Sequence, residues 1–442
     1  MRLLVELTFY GGVGEIGGNK VLVADGDTRV FLDFGMSFAS RGSFYSSPFL
    51  SPRDARSLIE LGILPRIDGV YRFDDSVESV DAIFLSHAHM DHSAYISLIK
   101  RSIPVHCGEI ASRILKALDE ITMGGFEYDF EGLEFKPFRT GDIIKVGSIQ
   151  VEPVHVDHSI PGAYGFIVHT SSGTVAYTGD FRLHGSRPDL TEDFVERAAD
   201  AEPIALMVEG TNMTGAEISS EPGVMEKLNC LVKETPGLVL ADFSRTDVDR
   251  LRSFLSVADE NERKLAITLK QAFLLSRLAG DPHLKVPRLD DPSLLIFQKR
   301  KKRYFPWERD LLSRENVVDS SAVARMQKDL ILAASYYDFE ELVEIEPVPE
   351  SSYILSASEP FNEEMEIDFS RLVNWLERYG LPQYHIHVSG HAMPHQLKNV
   401  VQRISAKKIF PIHTVHPELF SRFMRSAKGE IVLAQKCVEY TV

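Results

Sequence analysis

The string His87-Ala88-His89-Met90-Asp91-His92 follows the apolar run Ala82-Ile83-Phe84-Leu85-Ser86 with no spacer. Several side chains able to hold a metal therefore crowd the point where a buried strand has to end. In extended backbone His87 and His89 project to the same side, because side chains repeat every two residues. Asp91 and His92 fall where the chain turns into the helical pattern Ala94–Lys100, so they can face a second ion beside the first. Two ions about 3.5–4 Å apart form the usual clamp for hydrolysing phosphoesters and related bonds. Imidazole and carboxylate together suit zinc, manganese or iron. The plainer account, a loop with chance histidines, does not explain so many ligand types at one strand end.

The bulk numbers bound the class. A length of 442 residues predicts two to three domains, and 44% apolar with 25% charged residues describes an ordinary globular chain. No apolar run is long enough for a membrane span, and the start reads as a first strand rather than a signal peptide. The three cysteines, Cys107, Cys230 and Cys437, are too few and too scattered for a disulfide framework or a cysteine-rich zinc site, which predicts a reducing cytoplasm. A net charge of −16 argues against a general nucleic-acid binder. The argument is limited, because bound divalent ions place positive charge where a phosphate would sit.

The first ~180 residues read as strand-rich, with a hairpin across Asp25-Gly26-Asp27 and an irregular stretch over 40–75. From about 205 to 385 strands and helices alternate, which predicts βαβ units and a parallel sheet. Gly12-Val13-Gly14-Glu15-Ile16-Gly17 fits the dinucleotide pattern, but the residues after it read as a hairpin rather than the required helix. No nucleotide cofactor is expected there, and the glycines are expected to shape a loop near the metals.

Three further positions complete a two-ion cage: His158 at the end of one strand, Asp180 after Val175-Ala176-Tyr177-Thr178-Gly179, and His413 after Phe410-Pro411-Ile412. The expected arrangement puts His87, His89, His158 and Asp180 on one ion and Asp91, His92, Asp180 and His413 on the other, with Asp180 bridging. His155 competes with His158 for one place; the rigid Ser159-Ile160-Pro161-Gly162 loop favours His158. Imidazoles outnumber carboxylates in this set, so two zinc ions are expected, with manganese as the alternative.

The His-x-His-x-Asp-His string and its later partners resemble the metallo-β-lactamase superfamily. That resemblance implies an α/β fold, a four-layer αββα sandwich with the metals at one edge, and assigns Asp33 to orienting the ligands from behind. The segment between Asp180 and the final strands resembles the inserted β-CASP α/β domain of nucleic-acid-processing members. The implied division is 1–203 and 385–442 for the metallo-β-lactamase domain and 204–384 for the insertion. Glu209 in Val208-Glu209-Gly210, His391 in Ser389-Gly390-His391-Ala392 and the last histidine, His413, match the subfamily's pattern. The Ser389–Ala392 string looks most like ribonuclease J-type nucleases, and histidine rather than valine at 413 goes with the RNA-processing branch. The chain ends at Val442, so the C-terminal domain of many such nucleases is expected to be missing.

What this implies is a metal-dependent ribonuclease of the cytoplasm, cutting RNA as a 5′–3′ exonuclease, an endonuclease or both. Its partners would be an RNA substrate and no membrane, and a homodimer is compatible with the reading. Asp91, His391 and Glu209 would be catalytic, with His391 held by Glu209 and acting on the departing oxygen. Backbone N–H groups of Ser389, Gly390 and Ala392 would cradle a phosphate. Ser244 and Arg245 would contact phosphate at a helix N-terminus; a plain helix cap explains them equally well. Two alternatives stay open: a small-molecule metallohydrolase of thioesterase or lactonase type, and an inert RNA-binding paralogue.

Overall fold

The first strand, Val5–Gly11, buries Val5, Leu7 and Phe9 and leaves the residues between them half-exposed. That alternation needs a core on one face only, and the neighbouring hairpin Lys20–Asp25 and Thr28–Leu32 extends the same face with Val21, Val23 and Val30. The computed structural model describes residues 5–46, 49–122, 125–215, 218–357 and 363–442. It divides into two units, Met1–Ile218 with Gly390–Val442, and Ser219–Ser389.

The first unit holds two seven-stranded sheets. One runs, edge to edge, through Glu439–Thr441, Val5–Gly11, Lys20–Asp25, Thr28–Leu32, Ala82–Leu85, Val105–Gly108 and Phe135–Phe138. The other runs through Glu430–Ile431, Lys408–Ile412, Ala205–Glu209, Thr174–Tyr177, Ala163–His169, Ile149–Val156 and Ile144–Val146. Phe9, Val23 and Phe84 of the first sheet share one buried cluster with Phe166, Tyr177, Met207 and Phe410 of the second, so the sheets pack face to face. Helix Glu109–Thr122 covers the outside of the first sheet. Helices Pro188–Asp200 and Pro394–Ile404 cover the outside of the second, through Phe194, Val195, Leu397 and Val401. This is the αββα sandwich.

The junctions with the insertion differ from 204 and 385; the units part at Ser219 and Gly390. Strand Ala205–Glu209 is wholly buried and pairs in parallel with Thr174–Tyr177 on one side and Lys408–Ile412 on the other. Its run Ala-Leu-Met-Val-Glu has the look of any strand in a parallel sheet. Strand Gln383–His385, in contrast, belongs to the inserted sheet.

The inserted unit is one sheet of seven strands, all parallel, in the order Val317–Val318, Leu294–Phe297, Lys264–Thr268, Leu330–Ala333, Val239–Asp242, Ser352–Leu355 and Gln383–His385. The central strands are short unbroken apolar runs, as parallel strands covered on both faces must be. Asp242 ends one of them. Burial raises its carboxyl to about 6, although the Tyr353 hydroxyl donates to it at 3.0 Å. An acid whose folded pKa lies above its unfolded value loses stability as pH rises between the two. Asp242→Asn should therefore raise unfolding stability at pH 7 by about 1–2 kcal/mol, with the gain vanishing below about pH 4. Urea melts at the two pH values check this; an equal gain at both would refute it.

Candidate metal centre

Strand Ala82–Leu85 ends at Ser86, and the ligand string turns at once into the short helix Met90–Ser93, with His89 in extended backbone at its N-cap. The turn is so tight that the chain from Gly35 passes against it: a Cβ at Gly35 would overlap the Asp91 carbonyl oxygen. Asn19 N–H donates to that same oxygen at 3.0 Å, and Gly12 accepts the His413 N–H at 2.6 Å. The glycine-rich loop thus frames the cluster, and the hairpin after it is present as expected.

His158, Asp180, Glu209 and His413 come from the ends of four strands of the second sheet, so one rim gathers side chains far apart in sequence. His87, His89 and His158 form one group, and Asp91, His92, Asp180 and His413 another, each with ligand atoms within 4.8 Å of one another. Asp180 joins the two. Its Oδ2 lies 3.0 Å from His92 Nε2, 3.6 Å from His413 Nε2, 3.7 Å from His87 Nε2, 3.8 Å from His391 Nδ1 and 4.0 Å from His158 Nε2. His155 is elsewhere, stacked on Tyr164.

The two groups differ electrically. Burial, reinforced by the neighbouring imidazoles, pushes His87 and His158 well below the ordinary histidine range, and burial brings His89 to about 4. Burial thus favours the neutral form of all three rings, the state a metal requires. Burial works against the charged carboxylates, yet His92 and His413 outweigh it and hold Asp91 and Asp180 well below the usual carboxylate range. His92 is driven the other way: burial opposes its charge, and Asp180, Asp33 and Asp91 raise it well above its usual value.

Two observations test whether these residues fit a cation. His89 Nδ1 faces both His87 Nε2 at 3.1 Å and His158 Nε2 at 3.2 Å, and three neutral rings sharing that point cannot all be satisfied by hydrogens. Asp180 Oδ1 is buried with no hydrogen-bond partner among the described residues. Converging lone pairs and an orphaned carboxylate oxygen are what a bound divalent ion would satisfy.

Asp33 supports the cluster from behind. It accepts from Ser86 N–H at 2.7 Å, from Ser86 Oγ at 2.7 Å and from the Tyr177 hydroxyl at 2.6 Å, and lies 2.7 Å from His92 Nδ1. Ser86 Oγ in turn sits 2.9 Å from His87 Nδ1, so one carboxylate fixes two rings. Sequence reasoning found Asp33 but missed Ser86, Tyr177 and Thr211. Thr211 Oγ1 lies 2.8 Å from His413 Nδ1 and 3.2 Å from His391 Nδ1. A lone hydroxyl carries no spacing signal, though Thr211 stands two residues after Glu209.

Glu209 accepts N–H bonds from Thr211 and Ala392, both at 3.0 Å, and its Oε2 lies 3.6 Å from His391 Nδ1. Burial disfavours a charged His391, but Asp180 and then Glu209 outweigh it and raise the ring to about 9. In the expected backbone cradle two groups already have partners. The Ala392 N–H is taken by Glu209, and the Gly390 carbonyl accepts from His158 Nδ1 at 2.6 Å, so this turn holds the ligand histidine. A Cβ at Gly390 would lie 2.5 Å from Ser159 Oγ, which accounts for the glycine. Ser389 is the last residue of the inserted unit, and Ser244 and Arg245 lie within that unit, lining a cavity of its own. Lys299 and Lys301, in the run Lys299-Arg300-Lys301-Lys302-Arg303, are ion-paired to Asp338 and Glu308, and Trp307 packs on Phe273 in the interior.

A family model described as "Beta-lactamase superfamily domain" matches residues 68–226. Among curated proteins the chain is 25% identical to ribonuclease J of Mycoplasma pneumoniae, over 97% of this chain and 69% of that protein. It is 24% identical to ribonuclease J of Thermus thermophilus over 92% of this chain and 68% of that protein, and to ribonuclease J of Helicobacter pylori over 92% and 56%. A crystal structure of a protein of unknown function from Enterococcus faecalis superimposes with a TM-score of 0.80 at 23% identity, covering 99% of this chain and all of that one, which establishes the fold. With the ligand string, the αββα sandwich and the inserted parallel-sheet unit in place, the chain carries a β-lactamase superfamily domain and is similar along most of its length to ribonuclease J.

Proposed function

We propose that this chain is a metal-dependent ribonuclease that hydrolyses RNA phosphodiester bonds, as a 5′–3′ exonuclease, an endonuclease or both. The observation that carries the reading is the Asp180 carboxylate, buried within 4.0 Å of four imidazoles of the proposed ligand set, with one oxygen left unsatisfied. The relatives along nearly the whole chain supply the substrate class, since their name is ribonuclease J.

His87, His89 and His158 would hold one ion, Asp91, His92 and His413 the other, and Asp180 would join them; zinc is preferred because imidazole dominates the set. Divalent ions there would supply Lewis acidity toward water and the phosphate oxygens. The remaining work falls to the protein. Asp33, through Ser86, keeps His87 and His92 in fixed tautomers and orientations. His391 carries its proton at neutral pH because two carboxylates face its Nδ1 edge, and it donates toward the departing oxygen. Glu209 positions that ring by pinning Thr211 and Ala392 on either side. No small-molecule preference is evident in these contacts, and an inert paralogue would not be expected to keep every ligand.

Incubation with 5′-monophosphorylated RNA should give single nucleotides from an exonuclease or internal fragments from an endonuclease, and chelator should stop either. Cleavage that survives chelation would refute the reading. His89→Ala should abolish cleavage with an unchanged circular dichroism spectrum, and elemental analysis should show bound metal falling from about two ions per chain. His391→Ala should lower kcat by ~10²–10⁴-fold while metal content is unchanged. Loss of metal in that variant would show His391 to be a ligand instead.

A further inference from the structure

The glycine-rich loop leads into Asn19, a residue to which the nuclease reading gives no task. Asn19 is fully buried. Its Nδ2 lies 3.1 Å from His92 Nε2, the ring nitrogen that also faces Asp180 Oδ2 at 3.0 Å. Its backbone is tied to the ligand string as well. The Asn19 N–H donates to the Asp91 carbonyl, and the Asn19 carbonyl accepts the Gly35 N–H, both at 3.0 Å. Asn19 thus stands beside the group Asp91, His92, Asp180 and His413, and all five residues belong to the first unit.

The loop is shaped around this side chain. A Cβ at Gly12 would lie 2.2 Å from Asn19 Oδ1, and Gly12 has φ +80°, so only glycine leaves room for the carboxamide there. A Cβ at Gly17 would lie 2.6 Å from Asp91 Cβ. Two of the three glycines in the string that mimics a dinucleotide fingerprint therefore bring the loop against Asn19 and Asp91.

The carboxamide carries a mismatch that a cation would remove. Asn19 Oδ1 is buried with no hydrogen-bond partner among the described residues. His92 Nδ1 is committed to Asp33 at 2.7 Å, so Nε2 is the atom this ring has to offer an ion. An amide N–H and a divalent ion cannot share that one lone pair. Turning the carboxamide over about its last torsion exchanges nitrogen for oxygen, two atoms of similar size, with no movement of the backbone. The oxygen then takes the place 3.1 Å from Nε2. Donor atoms at ~2.1 Å from a common ion lie roughly 3.0–3.4 Å apart, in octahedral or tetrahedral geometry. The separation is that of two neighbouring ligands.

We propose that Asn19 is a further metal ligand, its side-chain oxygen bound to the ion that Asp91, His92, Asp180 and His413 would hold. The inference rests on the two-ion reading of the site and adds to it an uncharged oxygen donor.

Chelator competition on the zinc-loaded full chain, followed by elemental analysis, tests it without reference to activity. The wild-type chain should hold about two ions. Asn19→Ala should release one of them at a chelator concentration ~100-fold lower, with the other held as before. Asn19→Asp should keep both, because it places an oxygen at the same point while losing the N–H that reaches His92. A residue that only props the ring needs that N–H and would fail equally in the two variants. Asn19→Asp as weak as Asn19→Ala, or Asn19→Ala holding both ions like the wild type, would overturn the inference and leave the two-ion reading standing. A wild-type chain holding fewer than two ions would overturn both. If circular dichroism shows Asn19→Ala unfolded, the metal content of Asn19→Asp decides alone: two ions support the ligand, and one ion refutes it.

Discussion

The structure of the candidate metal centre depends on one carboxylate. Asp180 is buried, carries its charge, and faces five imidazoles with a single oxygen. An unpaired buried carboxylate would cost several kcal/mol. Here the cost is offset only because strands from opposite ends of the chain bring their histidines to it. His413 arrives from the last part of the chain because Lys408–Ile412 pairs with Ala205–Glu209, and Glu209 ends opposite Ile412 in that register. A one-residue slip in that pairing would turn the side chains at the strand end to the other face. The site is therefore also a lock on the fold: the segment returning from the inserted unit must find its place beside Ala205–Glu209 before the charge is satisfied.

The division between neutral and charged halves follows from the same geometry. His87, His89 and His158 crowd one another, so burial and mutual repulsion keep them neutral. His92 lies between Asp33 and Asp180, and each carboxylate favours its charged form. One set of four imidazoles thus divides by neighbours alone, with no change of residue type. His87, His89 and His158 would offer a divalent ion lone pairs that are already free of protons, whereas His92 would have to give up a proton to serve as a ligand.

The proposed ligands stood out in the sequence because they lie at or just past the ends of apolar runs, and a strand end is where a buried chain can present a polar side chain to a rim. The helix and hairpin chemistry around them was legible for the same reason. Ser86, Tyr177 and Thr211 were not, since an isolated hydroxyl within or beside a strand has no period to reveal it. The junction near 204 was misplaced because Ala205–Glu209 shares its composition with the inserted strands; only its pairing with Lys408–Ile412 separates them. The Ser389–Ala392 turn makes contacts that the sequence did not reveal. Its glycine and its carbonyl serve His158, and its Ala392 N–H serves Glu209, which a sequence cannot show.

An acidic chain with a net charge of −16 has to solve a local problem if it handles phosphates. Bulk charge governs solubility and long-range steering, whereas a bound phosphate responds to groups within a few ångströms and to the oriented N–H groups there. The inserted unit shows how the two scales separate. In its basic run Lys299–Arg303, Lys299 and Lys301 are spent on Asp338 and Glu308. Arg245 and Lys270, which belong to no run, line the cavity of that unit and make no ion pair among the described residues. Pairing is decided by topology rather than by the length of a basic run: the fold carries Asp338 to Lys299 and Glu308 to Lys301, and both carboxylates also lie near enough to favour the charged form of Lys270.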